Sequence, residues 1–207
     1  MKSASLLAQG LAVVMTLTIV QASACKGGAG SKAGEGGAHG GSATTEGGTT
    51  KRVDELIGDV PKTDGIAWKR VELPFGTAEV PDGSGWSLQP NGSVQVAHTD
   101  GTVIMFQTQP DVKPSQLADY LQAYDATQKQ DAPKYAEVSR KTGTVKGTTA
   151  ARIEGTYEHE QKFQTHDYIL ITQTGTVAAI SGRAPDGPAA ARLAAVVDHI
   201  VATAQIK

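Results

Sequence analysis

Residues 86–108 read WSLQPNGSVQVAHTDGTVIMFQT, and this stretch decides the fold. Asn91-Gly92 and Asp100-Gly101 separate three runs suited to strands: Trp86–Leu88, Val94–His98 and Thr102–Thr108. Both dipeptides tolerate the positive φ that tight hairpin turns require. Two such turns nine residues apart predict a three-stranded antiparallel meander. In the third run Val103-Ile104-Met105-Phe106 is apolar at both parities, and so is Tyr168-Ile169-Leu170-Ile171 further along. Strands read this way when both of their faces are buried.

Outward from the meander, Ala67–Leu73 reads as an earlier strand ending at Pro74. A helix is predicted from Pro114, a good opener, to Gln128. Its Leu117, Tyr120, Leu121 and Tyr124 fall at i, i+3, i+4 and i+7 on one stripe, and Pro133 closes the region. Tyr135–Lys141 reads as a strand. Thr149–Glu158 alternates, with Ala151, Ile153 and Tyr157 facing one way and Arg152, Glu154 and Glu158 the other. Thr165–Thr172 and Thr176–Ser181 pair across a turn near Gly175. Residues 182–187 then lead to a last helix, capped by Asp186 or Gly187 with Pro188 in its first turn. Leu193, Val196, Val197, Ile200 and Val201 line one face of that helix. Two amphipathic helices and doubly apolar strands predict an α+β domain over residues 61–207, an antiparallel sheet of six or seven strands sandwiched between helices. The competing arrangement is a sandwich with helices on one side only. A domain of this length buries about two-thirds of its unfolded surface without staples.

Val71-Glu72-Leu73-Pro74, Pro81 to Trp86, the central helix, Gly147 to Glu154 and the C-terminal amphipathic helix resemble, in order and pattern, the PsbP-like fold. That fold is shared by the extrinsic oxygen-evolving protein of photosystems and by bacterial lipoproteins of the DcrB type. The resemblance runs from about Trp68 to Ile206. It implies a non-enzymatic module that binds or organises other proteins at a membrane face, and it carries no ligand residue over to a defined position.

The N-terminus reads as a targeting segment. Lys2 supplies a positive start, and Leu6–Val20 (LLAQGLAVVMTLTIV) is a mostly apolar run of 15 residues. Spanning a bilayer takes about 20, so the run fits the h-region of a secretory signal, and residues 1–24 are read as a signal peptide. Ala22-Ser23-Ala24-Cys25 resembles the lipobox of bacterial lipoproteins, with Ala22 where Leu is usual. The resemblance implies cleavage before Cys25, a diacylglycerol on its sulfur and incorporation of palmitate. Ordinary cleavage after Ala22-x-Ala24 is the alternative and would leave a free N-terminal Cys. Each buried CH₂ contributes about 0.8 kcal/mol, so one acyl chain holds marginally and two hold durably. The implied location is the bacterial cell envelope. In Gram-negative lipoproteins an Asp after the cysteine resembles an inner-membrane retention signal, and Lys26 instead implies the outer membrane or cell surface.

Residues 25–60 read as the lipidated Cys and a flexible linker. Ten of the 25 residues 26–50 are Gly, and none carries a large apolar side chain that could offset the entropy of ordering. From Cys25 to residue 60 such a coil has an r.m.s. reach of roughly 30–35 Å and a ceiling near ~120 Å. Residues 51–60 (KRVDELIGDV) place Val53, Leu56 and Ile57 at i, i+3 and i+4, which suits a short helix or the end of the leash.

A search for chemistry returns little. A net charge of −2 offers no basic surface for nucleic acid. One Cys excludes an internal disulfide framework and every multi-Cys zinc site. Gly28 to Lys32 lacks the strand, helix and spacing of a phosphate loop, and His39 is isolated among glycines. His159-Glu160 begins like H-E-x-x-H, but Phe163 stands where the second His belongs. Ser84 lies in Asp82-Gly83-Ser84-Gly85 and reads as a turn residue, not a nucleophile elbow. No enzyme, cofactor or catalytic residue is expected. Glu158, His159, Glu160, His166 and Asp167 flank a turn around Gln161–Lys162, and in the simplest register His159 and His166 approach from opposite strands. That would suit zinc or copper, or a small ligand, and makes a carrier on the 158–167 hairpin the alternative function. Phe163 at the same tip either anchors a partner or folds onto the sheet, and the second is preferred. Trp68, Trp86, His98 and His199 read as structural, and Asn91-Gly92-Ser93 is explained by its turn. The sequence therefore points to an envelope lipoprotein, attached to the membrane through Cys25, whose domain binds or scaffolds another envelope protein.

Overall fold

The Asp100-Gly101 turn forms as the dipeptide requires. Gly101 takes φ 92°, and the His98 amide donates to the Thr102 carbonyl at 2.8 Å. The structure is a computed structural model and describes residues 55–57, 59, 63–91 and 93–207. Along it run β1 (Ala67–Leu73), β2 (Gly76–Asp82), β3 (Trp86–Asn91), β4 (Ser93–His98), β5 (Val103–Gln109), a 3₁₀ turn (Pro114–Gln116), α1 (Leu117–Asp131), β6 (Ala136–Val145), β7 (Thr148–His159), β8 (Gln161–Ile171), β9 (Val177–Pro185), α2 (Pro188–Thr203) and β10 (Gln205–Ile206).

Seven strands form one antiparallel sheet in the order β3-β4-β5-β9-β8-β7-β6. The expected meander is its first three strands. α1 covers one face and α2 the other, so the fold is α+β with helices on both sides of the sheet. The doubly apolar run on β8 accounts for this: Tyr168 and Leu170 join the core under α2, while Ile169 and Ile171 join the core under α1. β9 does the same with Ala178 and Ile180 against Val177 and Ala179. The run on β5 is different. Ile104 and Phe106 are buried on the α2 side, but Val103 and Met105 are only half-buried, and no β5 residue joins the core under α1.

Several expectations need correction. Ala67–Leu73 is a strand but lies in a second sheet, ordered β1-β2-β10, which packs with α2. β2 was hidden by its composition: Gly76 and Pro81 read as breakers, yet a Pro is tolerated on a short strand wherever no ladder N–H is needed. β9 runs on to Pro185, past the boundary at Ser181, and Gly187 alone is the helix cap. Residues 55–57 form no helical turn. Glu55 makes a parallel bridge to Thr144, the Leu56 amide donates to the Thr144 carbonyl at 2.8 Å, and Ile57 is buried in the α2-side core.

Each helix is fixed by side chains as well as by area. α2 rests on bare backbone: a Cβ on Gly182 of β9 would stand 2.5 Å from Val197 Cγ2 and 2.9 Å from Leu193 Cδ1. α1 is held by a buried hydrogen bond, Tyr124 Oη donating to Asp167 Oδ2 at 2.6 Å. Arg183 Nη2 donates to Gln128 Oε1 of α1 at 3.3 Å, and Arg140 pairs with Asp125 of α1 and with Glu137. Burial pushes the Asp167 carboxyl above its ordinary 3.8, against the opposing pull of the Tyr124 hydroxyl and the Arg183 charge.

Two outcomes are expected. Gly182→Ala forces α2 off the sheet and should lower unfolding stability by about 1–3 kcal/mol in urea titration. For Asp167 the folded pKa lies above the unfolded one. The stability it contributes is complete below the unfolded value and is lost as pH rises through the folded value. Asp167→Asn keeps an acceptor for Tyr124 and cannot ionise. Its stability relative to the parent should therefore improve from pH 4 to pH 8, and a relative loss at pH 8 would contradict the reading.

Candidate functional site

The sheet is wider than the helix covering it. On the α2 side the outer positions of β6 and β7 lie beyond the helix edge, and there the sequence turns polar. Two cross-strand rows define this region: Lys141, Arg152 and Tyr168, then Ser139, Glu154 and His166. Alternation along each strand puts all six on one face. From the edge of α2, Asp198 closes the row. Its Oδ1 lies 2.8 Å from His166 Nε2 and accepts from Tyr168 Oη at 2.9 Å. Glu154 accepts from Arg152 Nη2 at 2.7 Å and from Ser139 Oγ at 2.8 Å, with His166 Nδ1 at 3.6 Å.

The electrostatics follow from these contacts. Burial works to raise the Asp198 carboxyl, but the His166 hydrogen bond and charge, the Tyr168 hydroxyl and the Arg152 charge outweigh it and hold Asp198 below its ordinary range. Burial likewise opposes ionisation of Glu154, and the Ser139 hydroxyl with the Arg152 guanidinium holds it low. Tyr168 is pushed far upward by burial and by the neighbouring Asp198 carboxylate.

Beside this network a cleft of about 460 Å³ is lined by Glu55, Leu56, Lys141, Thr142 and Arg152. Glu55 and Leu56 reach it from the segment that precedes β1. Glu55 Oε1 accepts from the Lys146 amide at 2.7 Å and Oε2 from Thr144 Oγ1 at 3.0 Å, which fixes the segment against the end of β6. Ser139 Oγ donates to a carboxylate, and both ring nitrogens of His166 face carboxylates.

The residues singled out from sequence fall in different places. Cys25 and the signal and linker readings lie outside the described residues. The 158–167 hairpin does not gather its polar groups. Its turn is at Glu160 (φ 61°), so His159 pairs with Gln161 while His166 pairs with Glu154. Five residues of extended strand then separate the two histidines, roughly 17 Å. Glu158 pairs with Lys134 at 2.5 Å on the surface, His166 is buried toward α2, and Asp167 is buried toward α1. Among the described residues no group of three His, Cys, Asp or Glu could hold a metal ion. Phe163 folds onto Tyr157, ring centroids 5.0 Å apart and nearly parallel. Trp68 stacks on His199 at 3.6 Å, and Trp86 lies 4.7 Å from His98. Sequence reasoning missed Asp198 and Glu55. Asp198 had a signal, being the one acidic residue of the apolar last helix. Glu55 had none, because its role depends on a pairing 89 residues away.

No family model matches the chain, and no curated protein matches it by sequence. Solved structures do. LpqN of Mycobacterium tuberculosis, described as involved in cell envelope biogenesis, is 16% identical over 66% of this chain and 88% of its own, with TM-score 0.47. The Ran-binding protein Mog1p of Saccharomyces cerevisiae is 18% identical over 66% of this chain and 89% of its own, with TM-score 0.45. Cyanobacterial PsbP of Synechocystis is 8% identical over 74% of this chain and 97% of its own, with TM-score 0.45.

Proposed function

We propose that this chain is a lipid-anchored protein of the bacterial cell envelope whose domain binds or scaffolds another envelope protein and catalyses no reaction. The observation that carries the reading is the succession in residues 6–50. An apolar run too short to span a bilayer leads to small residues, then the sole Cys of the chain, then a glycine-rich stretch. A diacylglycerol on Cys25 would hold the domain durably, and Lys26 favours the outer membrane or cell surface. Between Cys25 and Glu55, where the described domain begins, 29 residues of linker have an r.m.s. reach of roughly 30 Å, enough to clear the headgroups. A carrier function on the 158–167 hairpin is not supported, because the hairpin register separates His159 from His166.

The test is Cys25→Ala in the expressing bacterium. The parent chain should incorporate labelled palmitate and sediment with envelopes. The variant should do neither and should appear in the soluble fraction. N-terminal sequencing that finds an unmodified Cys25 in the parent, or a variant that still sediments with envelopes, would overturn the anchor.

A further inference from the structure

The cleft at the edge of β6 has an excess of hydrogen-bond donors. Lys141 and Arg152 stand directly opposite each other in the β6–β7 register, and both line the cleft. Like charges directly opposite across antiparallel strands destabilise the pair. Here the repulsion is only partly relieved. Arg152 is tied to Glu154 through Nη2, while its Nε is buried and has no partner. Lys141 forms no ion pair among the described residues.

The carboxylates nearby are already engaged by other donors. Both oxygens of Glu55 accept from Lys146 and Thr144. Both oxygens of Glu154 accept from Arg152 and Ser139. Asp198 Oδ1 is engaged by His166 and Tyr168. The unpartnered Arg152 Nε and the Lys141 ammonium, which forms no ion pair among the described residues, match a carboxylate, which has acceptor sites only.

The volume and the remaining wall refine the ligand. A cleft of about 460 Å³ falls within the range of small-molecule sites and is larger than a bare ion needs. Leu56 supplies an apolar part of the lining.

We infer that this cleft binds a small organic acid, its carboxylate held between Arg152 and Lys141 and its apolar part against Leu56. This does not depend on the lipid anchor. Binding also touches the entry segment, because Glu55 and Leu56 form one wall of the cleft. An occupied cleft therefore holds residues 55–56 more firmly against β6.

The experiment uses the purified full chain and titrates benzoate, benzamide as its neutral isostere, and inorganic phosphate, read by calorimetry and by melting temperature. Benzoate should bind saturably and raise the melting temperature. Benzamide should bind at least about tenfold more weakly, since it lacks the charge that the two cations recognise. Lys141→Gln alters an exposed side chain without an ion pair, so the variant should fold as the parent does and bind benzoate about fivefold more weakly. Arg152→Lys keeps the charge but removes the fork and should also weaken binding. Absence of saturable benzoate binding would overturn the proposal. So would equal binding of benzamide, phosphate binding as tight as benzoate, or an unchanged affinity in a folded Lys141→Gln variant.

Discussion

The structure depends on burial of β8 from both sides. Tyr168, Ile169, Leu170 and Ile171 are all fully buried, and successive side chains enter different cores. A strand with this pattern has no face that water can wet, so the fold must supply a cover on each side. α2 and the second sheet cover one, and α1 the other. Register is then strongly specified, since a slip of one residue would exchange the two cores wholesale.

The polar end of the same strand repeats this two-sided logic. His166 and Asp167 are adjacent and both buried, so each would be costly without a partner. His166 faces Asp198 of α2, and Asp167 receives the hydroxyl of Tyr124 from α1. Two consecutive residues thus pin the two helices to opposite faces of one strand. Area holds the helices in place, while these hydrogen bonds fix their position along the strand, because a shift would leave a buried carboxylate unmatched.

Much of this was legible in the chain. The Asp-Gly turn separates β4 from β5 because its requirement for positive φ is local. The double parity of residues 168–171 foretells covers on both faces because burial leaves its mark on every residue of such a strand. The same mark misleads at Val103 and Met105, where α1 does not reach across the sheet. β2 was invisible because Gly76 and Pro81 are judged by local propensity, whereas its pairing with β10 is set by tertiary contacts. The candidate cleft was less legible than the fold. The shared parity of Arg152 and Glu154 was readable, but which residue stands across from each depends on strand order, and Glu55 enters only through a long-range bridge.

The parallel bridge of Glu55 to Thr144 has a mechanical consequence. Any tension along the chain from its N-terminal side reaches Glu55 and Leu56 before it reaches β1. Their hydrogen bonds and the buried Ile57 bear that load first, and they are few beside the ladders of the main sheet, so this segment opens at a lower free energy than the body behind it. The first described element to yield to a pull is thus the wall of the cleft.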